Sequence, residues 1–232
     1  MPTSTRNYNI ITDVNPKSYI SEAYRTLRTN IQFSTIDNHI RSIIVTSPEP
    51  SEGKSTTITN LAVAFAQEGK KVVLVDADLR KPTLHHFFMK SNRIGLSNLL
   101  AGQFTLQQAI SDTHIDNLSL ICSGPVPPNP AEMLNSKRLE QQLEELKKMF
   151  DIILFDAPPT LAVTDAQVLS TKCDGVVFVL NSGKVKRDTA RKAIDRLNHV
   201  NAKILGVVLN NKDRNKNESP YYYYYGPNDK SN

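Results

Sequence analysis

Between its first apolar block and the helical pattern after it, the chain reads Ser47-Pro48-Glu49-Pro50-Ser51-Glu52-Gly53-Lys54-Ser55-Thr56. The Gly-Lys-Ser-Thr end of this run is the core of a phosphate-binding loop. Backbone N–H groups of Ser51, Glu52, Gly53, Lys54, Ser55 and Thr56, at the start of a helix, can point at phosphate oxygens with the helix dipole in support. The Lys54 ammonium can reach the outer phosphates of ATP, and the Ser55 hydroxyl can ligate Mg²⁺. The loop departs from the general pattern: the usual first glycine is missing, and the spacing from Ser47 to Gly53 is one residue longer. An ordinary capped helix start would leave the lysine unexplained.

Acidic residues close two other apolar runs. One ends Leu74-Val75-Asp76-Ala77-Asp78-Leu79-Arg80-Lys81-Pro82, the other Leu154-Phe155-Asp156-Ala157-Pro158-Pro159. In a parallel sheet the C-terminal strand ends share one edge with the phosphate loop, where ligands bind, and carboxylates there can hold Mg²⁺ directly or through its waters. Phosphoryl transfer needs positioning, charge neutralisation and an oriented nucleophile. Asp156 suits the metal shell. Asp76 or Asp78 could take the proton of an incoming hydroxyl, and spacing does not separate them. Arg80 and Lys81 could contact phosphate or serve a surface.

Near the end of the chain stand five consecutive tyrosines, Tyr221, Tyr222, Tyr223, Tyr224 and Tyr225. A phenol titrates near 10, so tyrosine is a poor nucleophile at neutral pH and needs a base and a segment able to reach it. A phosphate donor site and a cluster of acceptors on one polypeptide point to self-phosphorylation. The bland alternative is an aromatic tail that packs on a partner.

The elements that must position these groups follow from apolar patterning. Residues 1–20 read as a loose, polar N-terminal arm. A helical pattern runs from Ser21, as its cap, to about Ser34. Near-continuous apolar runs at Arg41–Thr46, Lys71–Asp76, Leu118–Cys122, Ile152–Asp156, Gly175–Leu180 and Lys203–Leu209 read as six buried strands. Between them lie helical patterns at Lys54–Gln67, Leu96–Leu100, Thr105–Ile110, Ser136–Lys148, Asp165–Ser170 and Arg187–Asn198, and a proline-rich turn at Gly124–Pro130. This alternation predicts an α/β fold with a mostly parallel sheet covered on both faces. The expected organisation is an arm over 1–20, one domain over 21–211 and a polar, flexible tail over 212–232.

The 232 residues, 39% hydrophobic and 22% charged, suffice for one large α/β domain with a sizeable core. No run approaches the ~20 apolar residues of a membrane span. The polar start Met1-Pro2-Thr3-Ser4-Thr5-Arg6 leads into no apolar signal core, which argues against export. The two cysteines, Cys122 and Cys173, read as reduced, buried side chains of a cytoplasmic protein. The net charge of +5 reads as a modest surface excess rather than a nucleic-acid interface, and the histidines, His85-His86 included, show no metal-ligand spacing.

Together these motifs resemble the bacterial tyrosine kinases of the capsule and exopolysaccharide type, relatives of the cell-division and plasmid-partition ATPases. The resemblance spans nearly the whole chain, including the Gly124–Pro130 turn and the tyrosine cluster. It implies a P-loop fold that uses ATP and Mg²⁺, with Lys54 on the phosphates and Ser55 on the metal. It further implies Asp76 as the base that activates tyrosine, with Asp78 and Asp156 in the metal shell. A Glu-x-x-Arg-x-x-Arg pattern at Glu22, Arg25 and Arg28 implies a subunit contact that closes a homo-oligomeric ring, so that one tail enters its neighbour's site. From spacing alone these residues would be a solvated helix face. The resemblance also implies a separate transmembrane activator of the chain-length-regulator type, peripheral attachment at the inner face of the cell membrane, tyrosine-bearing protein substrates and an opposing phosphotyrosine phosphatase. Two other readings compete: a partition-type ATPase switch without kinase activity, which gives no reason for consecutive tyrosines, and an assembly module whose nucleotide is purely structural.

Overall fold

The computed structural model describes residues 8–34 and 40–212. The tyrosine cluster and nearly all of the tail lie outside the described residues. Seven strands form one sheet: β1 (Ser42–Thr46), β2 (Val72–Asp76), β3 (Ile110–Asp112), β4 (Leu118–Ile121), β5 (Ile152–Asp156), β6 (Gly175–Asn181) and β7 (Ile204–Asn210). Their order is β3-β4-β2-β5-β1-β6-β7. Every pair is parallel except β3 with β4, so the expected α/β architecture is the one observed. β1, β2 and β5 are buried along their whole length, as apolar strands covered on both faces must be.

Two cores flank the sheet. One joins Ile44, Val75, Ile153 and Phe178 to Leu99, Leu143, Leu169 and Leu197 from the helices Leu96–Leu100, Lys137–Met149, Asp165–Ser170 and Arg187–His199. The other packs Ile43, Val45, Leu74 and Leu154 against Ile58, Leu61 and Phe65 of the helix Lys54–Ala66. That helix is buried almost throughout because the helix Tyr19–Phe33 covers its outer side. It therefore lacks the polar stripe of a surface helix.

Three local expectations change. β3 falls where a helix was expected to reach Ile110: Thr105 caps a single turn, Leu106–Ala109, and the chain then turns extended against β4. The cap of the helix Tyr19–Phe33 is Ser18, whose hydroxyl accepts from the N–H of Ser21; Ser21 is buried inside the first turn and donates to the Asn15 carbonyl. From Tyr8 onward the leading segment is not loose. It holds a helical turn at Ile11–Val14, where Thr12 is buried and its N–H and hydroxyl both donate to the Asn60 side chain.

Candidate active site

The parallel register brings Thr46, Asp76, Asp156, Asn181 and Asn210 to strand ends on one edge of the sheet. The chain leaves β1 there, folds the loop Ser47–Gly53, and enters the helix Lys54–Ala66. Two left-handed residues shape the loop, Ser51 at φ 66° and Gly53 at φ 91°. Glycine is required at the second, because a Cβ would stand 1.9 Å from Nδ2 of Asn210. The Gly53 carbonyl then accepts the first helical bond, from Thr57 N at 2.8 Å.

Lys54 projects into a nest of acids. Its Nζ lies 3.2 Å from Oδ2 of Asp78, 3.6 Å from Oδ1 of Asp156 and 3.5 Å from the Ser55 hydroxyl. Burial works against its charge, but Asp156 and Asp78 outweigh that cost and hold the ammonium above its ordinary value. Ser55 in turn accepts from the Thr83 hydroxyl at 3.1 Å.

The three aspartates differ. Both oxygens of Asp78 are engaged, Oδ2 by Lys54 and Oδ1 by the N–H of Lys81 at 3.0 Å. Asp76 is fully buried; its Oδ2 accepts from Thr83 N at 3.0 Å and Leu84 N at 2.9 Å, while its Oδ1 has no partner. Burial, then the neighbouring Asp156 charge, push its carboxyl up to about 8 despite those two N–H donors. Asp156 is also fully buried, and neither of its oxygens accepts a hydrogen bond. Burial raises it, and the Lys54 charge opposes the rise.

Orphaned carboxylate oxygens in a dry site are costly unless something positive binds them. Here one ammonium faces three carboxyl groups, so the residues fit a divalent cation. Among the described residues no three acidic, histidine or cysteine side chains converge into a ready-made metal cage. That suits Mg²⁺ carried by a nucleotide, which keeps waters and needs one or two carboxylates besides its phosphates.

The structure thus gathers Lys54, Ser55, Asp76, Asp78 and Asp156 into one site. Thr56 is exposed on the first helical turn. Glu52 faces elsewhere: its carboxylate accepts from Glu49 N at 3.1 Å and Asn181 N at 3.0 Å, while Asn210 Nδ2 donates to its carbonyl at 3.0 Å. Glu52 therefore braces the loop. Arg80 is committed to a two-pronged pair with the buried Asp165, at 2.9 and 3.0 Å. Thr83, Asp165, Asn181 and Asn210 are site residues that the sequence did not reveal. Of these, Asp165 alone had a local signal, as the first residue of a helix, and that signal says nothing of Arg80. Glu22 and Arg25 pair with each other on an exposed helix face, whereas Arg28 donates to the Ala64 carbonyl and neighbours Glu68.

A family model described as an AAA domain matches residues 40–206. The tyrosine-protein kinase YwqD of Bacillus subtilis is 46% identical over 95% of this chain and 92% of its own length. The crystal structure of the chimerical protein CapA2B2 superposes with a TM-score of 0.86 at 42% identity, covering 88% of this chain and 90% of that one. The cell-division ATPase MinD of Pyrococcus furiosus superposes with a TM-score of 0.65 at 29% identity, over 76% of this chain and 74% of its own.

Proposed function

This chain belongs to the bacterial tyrosine-protein kinases, and on that premise we propose that it phosphorylates the tyrosines of its own tail, Tyr221 to Tyr225, in trans within a homo-oligomeric ring. The observation that carries this reading is Asp76: a buried carboxyl with one unengaged oxygen, beside a lysine in a phosphate-loop setting.

Bound Mg²⁺-ATP supplies the transferable γ-phosphoryl group and counter-charge for the acidic nest. The loop N–H groups and Lys54 would hold the phosphates, and Ser55, Asp78 and Asp156 would hold the cation, Asp78 while also accepting from Lys54 and the Lys81 N–H. Asp76 is the base. Its N–H bonds from Thr83 and Leu84 fix one oxygen, which leaves the other to take the proton of a phenol. Burial and the neighbouring Asp156 raise this carboxyl, so in its ionised form, which a bound cation would favour, it is a stronger base than an exposed aspartate. Each phosphate adds about −1.5 to −2 charge to the tail, which repels it from the acidic site and favours dissociation of the ring.

The sequence resemblance supports a role in regulating capsular or extracellular polysaccharide synthesis. It also supports attachment at the inner face of the membrane through a separate transmembrane activator, and reversal by a phosphotyrosine phosphatase. No helix among the described residues is long and apolar enough to cross a membrane. The test is mass spectrometry after incubation with Mg-ATP and the activator's cytoplasmic segment. Phosphate on Tyr221 to Tyr225 is expected. Release of inorganic phosphate with unmodified tyrosines would favour the ATPase-switch reading instead.

A further inference from the structure

The chain's positive charge is concentrated. Lys184, Lys186, Arg187, Arg191 and Lys192, with Asp188 as the one acid among them, carry a net +4 of the chain's +5 within nine residues. All five cations are exposed. None forms an ion pair with a described residue. Stability does not explain the arrangement, because cations in the first turn of the helix Arg187–His199 run against its dipole.

Position gives the patch a meaning. Lys184 lies on the turn that follows β6, and its N–H donates to the Asn181 carbonyl at 3.2 Å. The same turn is tied to the root of the tail: Ser182 N donates to the Asn210 carbonyl at 2.8 Å, and Asn211 Nδ2 to Oδ1 of Asn181 at 3.4 Å. From Asn211 to Tyr221 the chain has ten residues, a reach of at most ~35 Å, whereas the helical part of the patch, Arg187 to Lys192, rises only about 8 Å. Residues 213–232 contain three acidic and three basic side chains and no net charge. Phosphorylation at all five tyrosines would change that to roughly −8 to −10.

We propose that the basic surface formed by Lys184, Lys186, Arg187, Arg191 and Lys192 binds the phosphorylated tail of its own chain and not the unmodified one. Arginine and lysine around a phosphotyrosine run give charge-assisted bonds that a neutral tail cannot make. The proposal rests on the tail being the acceptor. It adds attraction to repulsion: the modified tail leaves a neighbour's acidic site and is retained at home.

The test uses the full-length Lys54→Met chain, whose own tail stays unmodified. Synthetic peptides of residues 213–232, with all five tyrosines phosphorylated or none, are titrated by fluorescence anisotropy. The phosphopeptide is expected to bind at least tenfold tighter. Lys184→Glu/Arg187→Glu/Arg191→Glu should remove that preference, and Lys203→Glu, in the connection between the far end of the helix and β7, should change binding less than twofold. If the triple reversal lowers the unfolding temperature, Lys184→Gln/Arg187→Gln/Arg191→Gln replaces it with the same expectation. Equal binding of the two peptides, or phosphopeptide binding that survives these changes, overturns the proposal. So does binding of phosphatidylglycerol vesicles to the patch without competition by phosphopeptide, which would make it a membrane surface. Peptide binding does not depend on transfer, so an absence of tail labelling in the wild-type chain would remove the proposed function while leaving this result readable.

Discussion

Asp76 and Asp156 occupy one register position on the adjacent parallel strands β2 and β5, and both carboxyl groups are fully buried. Two acids cannot be placed side by side in a dry interior without cost. Lys54 offsets part of it, and the rest is stored in the site until a cation binds.

Replacing Asp76 by asparagine should therefore stabilise the protein while disabling it. The amide oxygen can still accept from Thr83 and Leu84, and a neutral amide no longer sets a second negative charge beside Asp156. The native carboxyl titrates at about 8, against 3.8 in the unfolded chain, so its penalty grows as pH rises from about 4 to 8. The unfolding temperature of the nucleotide-free Asp76→Asn variant should rise by several degrees at pH 8 and by less at pH 5. Tail labelling should fall at least about 10²-fold. Differential scanning calorimetry and phosphotyrosine mass spectrometry read the two effects; a variant that loses stability at pH 8 would contradict the storage argument.

Lys54→Met removes the ammonium that faces all three acids. Labelling should be abolished, because Lys54 is the cation that the loop places among the three acids. Asp156 loses the charge that opposes its rise on burial, so protonation of that carboxyl relieves the variant. Its unfolding temperature should fall several degrees below wild type at pH 8 and by less at pH 6. Full labelling by this variant would take the phosphate loop out of the mechanism.

At the opposite end of β1, Asp174 holds the sheet. Its Oδ2 accepts from Arg41 N at 2.9 Å and from both Ser42 N and Ser42 Oγ at 2.8 Å. Burial alone would raise this carboxyl, but those donors hold it below its ordinary value. A depressed carboxylate stabilises above the unfolded value of 3.8, and the contribution is lost as pH falls through the lower folded value. Asp174→Ala takes the acceptor from the Arg41 and Ser42 N–H groups and from the Ser42 hydroxyl, which keeps only the bond it accepts from the residue-174 N–H, and should cost about 1–3 kcal/mol at pH 7. The gap to wild type in urea unfolding should narrow below pH 3.8; a constant gap down to pH 2 would assign the loss to packing.

What could be read in the chain was what is local. Strands such as Val72–Asp76 are legible because burial on both faces demands an unbroken apolar run. The Lys54, Asp76 and Asp156 constellation follows once parallel strand ends are known to share an edge. β3 was hidden because three residues directly after a helical turn carry no alternation, and its pairing with β4 decides it. The Ser18 cap was missed because Ser21 bears the same cap chemistry three residues later. Glu52 read as a phosphate-loop residue; its real partners, Asn181 and Asn210, are 129 and 158 residues away, and no local pattern encodes a contact at that separation. The division of labour among the three aspartates also required atoms, since only hydrogen bonds distinguish the occupied Asp78 from the half-free Asp76.

The same distinction separates the members of the Glu22, Arg25 and Arg28 motif. Arg28 is tied into its own subunit, with Nη1 3.0 Å from the Ala64 carbonyl and Nε 3.7 Å from Glu68. Glu22 and Arg25 form an i,i+3 pair at 2.7 Å, worth a few tenths of a kcal/mol in isolation, and Arg25 Nη2 also donates to the Pro16 carbonyl. If the proposed ring uses this face, Glu22→Ala should lower the mass seen by light scattering while moving the unfolding temperature by less than about 1 °C, and the double variant Glu22→Ala/Arg25→Ala should lower the mass with a small loss of stability, because the Pro16 carbonyl loses its partner. Arg28→Ala should lower both, because the Ala64 carbonyl and Glu68 lose a partner within the subunit. Wild-type chain and double variant both monomeric, in the presence of the activator segment, would remove the ring and leave the motif as a surface of one subunit.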